Sequence, residues 1–95
     1  MMLDDVRSAL RVDGNELDAE IQGLIDAAVA DLTLSGVDPA KAQAMTDPLI
    51  RRAVIIYCRA AFDYADASAE KLLQSYEMLK RHLTLAEDYR AVAGP

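Results

Sequence analysis

The stretch TDPLIRRAVIIYCRAAFDYA, residues 46–65, opens like an ordinary helix and then supplies almost no polar face. With residues 49–65 placed at about 100° per residue, Arg52, Arg59 and Asp63 fall in one narrow strip, and Arg51 is the one charge outside it. Ile50, Ala53, Val54, Tyr57, Ala61 and Tyr64 take the opposite side; Ile55 and Phe62 flank the strip on one edge, Leu49 and Ile56 on the other. The apolar arc is roughly 260°, where a surface helix packing on one core needs ~100°. Such a helix has to be central. Either three neighbouring helices of the same chain surround it, or a second copy covers what they leave. Leaving Ile55, Ile56 and Phe62 wet would forgo about 1.5–3 kcal/mol each. The residues expected to make subunit contacts are therefore Leu49, Arg52, Ile55, Ile56, Arg59 and Phe62.

The rest of the chain reads as helices around that segment. With 95 residues there is room for one core and not for two independent domains. Hydrophobic residues make up 53% of the chain, yet Trp is absent and Phe occurs once, so the core must come from Ala, Leu, Ile, Val and Tyr, which favours helices. LDDVRSALR places Leu3, Val6 and Leu10 at helical spacing, with Asp4 and Asp5 at the positive end of the helix dipole. Val12-Asp13-Gly14-Asn15 breaks it. A second helix over about 16–34 carries the stripe Leu17, Ile21, Leu24, Ile25, Ala28 and Leu32, with Asp18, Gln22 and Asp26 outward. Gly23 suggests a close helix crossing there, and Gly36 a left-handed stop. Asp38-Pro39 and Asp47-Pro48 each pair a good N-cap with a residue suited to the first helical position; the segment between them is either one or two helical turns or a loop. A last helix starts near Asp66 or Ser68 and turns Leu72, Leu73, Tyr76, Leu79 and Leu83 inward, with an i,i+4 pair between Glu77 and Arg81 outside. The tail from residue 90 to 95 is expected to fray. The predicted fold is all-α, a small bundle of about four helices with a central, largely apolar helix.

Charge narrows the function. Of the net charge of −6, residues 1–47 carry ten acids against three bases and residues 48–95 six acids against seven bases. A chain this acidic is repelled by phosphate backbones, while halves of unlike charge suit solubility or head-to-tail self-contact. No apolar run approaches the ~20 residues of a membrane span, and the N-terminus has acids where a signal peptide has bases, so a soluble, intracellular protein without membrane contact is expected.

The catalytic inventory is poor. His82 falls on the outer half of the last helix after Lys80 and Arg81, and Glu77 lies five residues from it, so the two face different directions. Cys58 lies mid-helix among apolar residues, where burial makes a thiol inert, and as the single cysteine it fits a reducing compartment. Asp4, Asp5, Asp13 and Glu16 read as solvated loop and cap charges. Neither a phosphate-binding loop nor a zinc spacing is present. Arg51, Arg52 and Arg59 share a helix, but Ile55 and Ile56 border them, so it does not present the polar face of a DNA-recognition helix. No enzyme activity, cofactor or metal is expected.

The order of the segments is more specific than any one of them. LDDVRSALRVDG, an acidic stretch leading into LIDAAVADL, DPLIRRAVIIYCRAAF and SYEMLKRHLTLAEDY together resemble the head-tail connector family of tailed bacteriophages, over about residues 2–90. The resemblance implies a structural virion neck protein found in phages and prophages, which joins copies of itself in a ring. That ring would lie between the portal and the next neck or tail protein, complete DNA packaging, and let DNA pass without sequence-specific binding. It implies no active-site residues, and a location in the virion neck after assembly in the host cytoplasm. The competing reading is a non-virion acidic helical adaptor that binds a basic protein partner.

Overall fold

A computed structural model describes residues 2–62 and 67–90. Five helices follow in order: α1 (Met2–Leu10), α2 (Asp18–Leu34), α3 (Pro39–Ala44), α4 (Pro48–Phe62) and α5 (Ala69–Leu85). Among the described residues there is no strand, only an isolated antiparallel bridge between Val37 and Arg90. The fold is an all-α bundle, with four longer helices and the short α3 between the two Asp-Pro pairs. Asp63, Tyr64 and Asp66, and the tail beyond Arg90, lie outside the described residues.

The helix boundaries follow local chemistry. α1 stops because Arg11 takes a left-handed conformation, φ 58°; its N–H donates to the Ser8 carbonyl and that of Val12 to the Arg7 carbonyl. This is a Schellman closure with a side chain where glycine is favoured. α2 ends in the same motif with the expected glycine: Gly36 has φ 116°, its N–H donates to Thr33 and that of Val37 to Leu32. Val37 and Leu32 are both fully buried, so the motif carries its usual apolar contact. Asp38 Oδ1 accepts from the Ala40 N–H at 3.2 Å, and Asp47 Oδ1 accepts from Leu49 and Ile50 at 2.8 and 3.3 Å. Both Asp-Pro pairs therefore open helices.

α4 packs against α1, α2 and α5, so it is the central helix. Ile50, Ala53, Val54, Ile56, Cys58 and Ala60 of α4 are buried, joined by Val6 from α1, Ile21, Ile25, Ala28 and Leu32 from α2, and Tyr76 and Leu83 from α5. The chain hides more of α4 than a helical wheel suggests. Ile56 is only 7% exposed, and Ile55 and Phe62 are half-buried, so of the two ways of covering this area the helices of the same chain supply a large part. Three helices converge on α4, the short α1 included.

Three smaller expectations also change. A Cβ on Gly23 would meet nothing within 4 Å, so Gly23 marks no helix crossing and sits on the exposed side of α2. Leu73 faces outward on α5. Glu77 pairs with Lys80, three residues on, at 3.1 Å, rather than with Arg81.

Two long-range polar ties fix the bundle. The Tyr76 hydroxyl donates to Asp31 Oδ2, and Lys80 Nζ reaches the same oxygen at 3.0 Å, joining α5 to α2. Burial acts to raise the Asp31 carboxyl, but these two donors outweigh it and hold the group below the usual carboxylate range. Burial, then the neighbouring Asp31, pushes the Tyr76 phenol well up. At the other end, the segment after α5 returns to the caps of α3 and α4. The Tyr89 hydroxyl donates to Asp47 Oδ2 at 2.7 Å, the Asp38 N–H donates to the Tyr89 carbonyl at 2.8 Å, and the Lys41 ammonium sits 5.3 Å from the Tyr89 ring centre.

Candidate functional site

The outer strip of α4 and the adjoining face of α5 form an open groove of about 430 Å³. Arg51, Arg52, Ile55, Ile56 and Arg59 line it from α4, Leu72 and Ser75 from α5. Four of the six residues expected to make subunit contacts, Arg52, Ile55, Ile56 and Arg59, thus meet at one place. Ile56 forms the buried floor, whereas Ile55 is partly open to solvent. Leu49 is 45% exposed and Phe62 half-buried, but neither lines the groove.

Arg52 and Arg59 are exposed and make no ion pair among the described residues. Arg51 is different: its guanidinium reaches Asp5 of α1. Asp5 is therefore not a merely solvated cap charge, as its position in the first turn suggests, but anchors α1 to α4. Asp4 also has a partner, Arg7, at 3.0 Å, and Arg7 Nε in turn lies 3.0 Å from Asp18 of α2 as a charge contact without hydrogen-bond alignment. Asp18 is half-buried by this contact rather than outward.

A second unpartnered surface is not among the expected site residues. The outer face of α2 exposes Ala19, Gly23, Ala27, Ala30 and Leu34, the last at 88%, with Glu20 and Asp26 on its two edges. Beside it, α2 and α3 enclose a groove of about 660 Å³ walled by Ile25, Val29, Leu34 and Met45. The signal was readable: between the stripe positions of α2 stand more Ala, Gly and Leu than a solvated face uses. Met78 and Leu85 add exposed apolar area on α5.

Among the described residues, chemically reactive groups are not gathered at either surface. Cys58 is fully buried, and burial pushes its thiol up to about 12, so it stays protonated. His82 is exposed in the last turn of α5. Among the described residues no three His, Cys, Asp or Glu side chains gather as metal ligands, and no helix is long and apolar enough to cross a membrane.

The ordered helices find a counterpart among known families. The sequence model of the family described as phage connector protein matches residues 2–90, nearly the whole chain. The chain belongs to the phage connector family. Neither a curated protein nor a solved structure matches it. Membership gives this connector a general role at the phage neck. The matched span includes α1 to α5, and with them both unpartnered surfaces.

Proposed function

We propose that the chain is a ring-forming adaptor subunit, a structural and non-enzymatic part of the phage neck, seated between the portal and the next neck or tail protein. The observation that carries this reading is the α4–α5 groove, in which Arg52 and Arg59, without an ion pair among the described residues, stand beside a half-open Ile55 on a chain of net charge −6. Isolated cations on an acidic protein, next to apolar area, suit contact with another protein's carboxylates. A ring subunit has two flanks to bury, and heterologous contacts close into rings where the rotation permits. The net acidic charge also disfavours gripping the DNA that has to pass.

Light scattering after size-exclusion chromatography, with and without the portal protein, tests the reading. A multi-subunit ring, alone or on the portal, is the expected result. A fixed dimer that ignores the portal would instead favour the adaptor that binds a basic partner. Ile55→Asp is expected to weaken assembly and leave the helical circular dichroism intact, because Ile55 stands at the rim of the groove.

A further inference from the structure

We infer that the occupant of the α4–α5 groove is the outer face of α2 of a second copy of this chain. The inference rests on the ring reading and goes further by naming the two surfaces that meet. It starts from charge placement. On α4, Arg51 stands on one side of Ile55, and Arg52 and Arg59 on the other, so an apolar centre is flanked by bases. On α2, Glu20 and Asp26 stand on opposite edges of the Gly23, Ala27 and Ala30 face, so an apolar centre is flanked by acids.

The lengths agree as well. At 1.5 Å per residue, Glu20 and Asp26 are about 9 Å apart along α2 on its opposite edges, and Arg52 and Arg59 about 10 Å apart along one side of α4, so the two helices cross at an angle where both pairs meet. Both surfaces lie open in the single chain, so neither is spent on the other within it. Among the described residues neither Glu20 nor Asp26 has an ion pair, and Asp26 accepts one hydrogen bond, from Gln22 on its own helix. The two surfaces differ from one another, so their contact is head to tail and leaves a free groove at one end and a free α2 face at the other. Leu34, nearly bare in the single chain, is carried on the same face and gains cover when the face is docked.

Charge reversal tests the pairing. Assembly on the portal is followed by light scattering for the wild type, for Glu20→Lys with Asp26→Lys, for Arg52→Glu with Arg59→Glu, and for all four changes in one chain. All four positions are exposed, so folding is preserved, and circular dichroism verifies it. Each double variant should raise the concentration needed for assembly at least about tenfold, since like charges face one another. The fourfold variant, whose surfaces are again opposite in sign, should recover it. Arg81→Glu with Arg90→Glu, which shifts net charge as far as the arginine pair does at two exposed positions that line neither groove, should assemble like the wild type. Rings that survive the α2 changes, or are not recovered in the fourfold variant, would overturn the pairing while leaving the ring reading in place. A wild-type chain that forms no multi-subunit species even on the portal overturns both.

Discussion

Two neighbouring isoleucines show how far a single position decides what a substitution reads. Ile55 is half-open at the groove, whereas Ile56, 7% exposed, is its floor and part of the core. Ile56→Asp removes buried apolar packing and brings a carboxylate to the edge of that core, a change of the order of 3 kcal/mol. A domain of this size has about 5–15 kcal/mol in all. Urea unfolding should therefore show a large loss of stability for Ile56→Asp and a small one for Ile55→Asp. A similar contrast holds for glycine. Gly23 lies inside α2 with nothing within 4 Å of an added Cβ, so Gly23→Ala should stabilise the unassembled chain by about 1 kcal/mol, or roughly 4–8 °C in Tm. Gly36, at φ 116°, should respond in the opposite sense to the same change. The left-handed stop at Gly36 was legible because the stripe of α2 ends just before it. The freedom of Gly23 was not, since periodicity reports which side of a helix is apolar and not what lies opposite. Ile55 and Ile56 could not be told apart for the same reason: both border the arginine strip on a wheel, and the cover that other helices give to one of them depends on residues distant in sequence.

At the scale of elements, the caps were the most legible feature and their tertiary use the least. Asp38 and Asp47 each announce a helix by standing before proline, but nothing near Asp47 in sequence indicates that Tyr89 will bind its second oxygen. Asp47→Ala should consequently destabilise more than Asp38→Ala, which removes a cap of the usual worth, about 1 kcal/mol. The check is chemical denaturation of both variants in one buffer. The same site and Asp31 set the acid limit. Burial opposes the charged form of Asp47, yet the hydrogen bonds from Tyr89, Ile50 and Leu49 and the nearby Lys41 prevail, and its carboxyl is held below the usual range. Asp31 is held down likewise by Tyr76 and Lys80. The unfolded chain therefore takes up protons at higher pH than the folded one. Stability from these groups is fully present above the unfolded carboxylate pKa, near 4, and is lost as pH falls through the lower folded values. Unfolding free energy should be flat between about pH 5 and 7 and fall below about pH 4. Tyr89→Phe and Tyr76→Phe should each make that fall shallower. Asp5 on Arg51 and Asp31 on Tyr76 escaped the sequence reading because their partners lie 46 and 45 residues away.

For the whole molecule, the extents of 46 × 26 × 18 Å correspond to a slab about two helices thick. In such a slab every helix keeps an outer side. That explains why the wide apolar arc of α4 was a sound sign of a central helix but an overestimate of what stays uncovered. The surplus sits elsewhere, on the outer face of α2, whose small and apolar residues stand out between the stripe positions in the sequence, while the folded bundle is needed to show that no other helix covers them. The unequal charge of the two halves, by contrast, was legible from the start, because it needs no tertiary information. Its consequence is a difference in salt response between folding and assembly. Core contacts among Ile21, Ile50, Val54 and Tyr76 are buried and insensitive to screening, whereas Arg52, Arg59, Glu20 and Asp26 act through solvent until surfaces meet. Raising salt from about 0.05 to 0.5 M shortens the Debye length to below about 5 Å, less than the spacing of the approaching charges. The midpoint of thermal unfolding of the single chain should move by no more than a few degrees over that range. Assembly on the portal should need several-fold more protein at the high-salt end, most of it through slower association. Assembly that strengthens with salt would mean that apolar area around Leu34 and Ile55, rather than charge, brings the copies together, and the arginine strip would then belong to the portal or to the next neck protein.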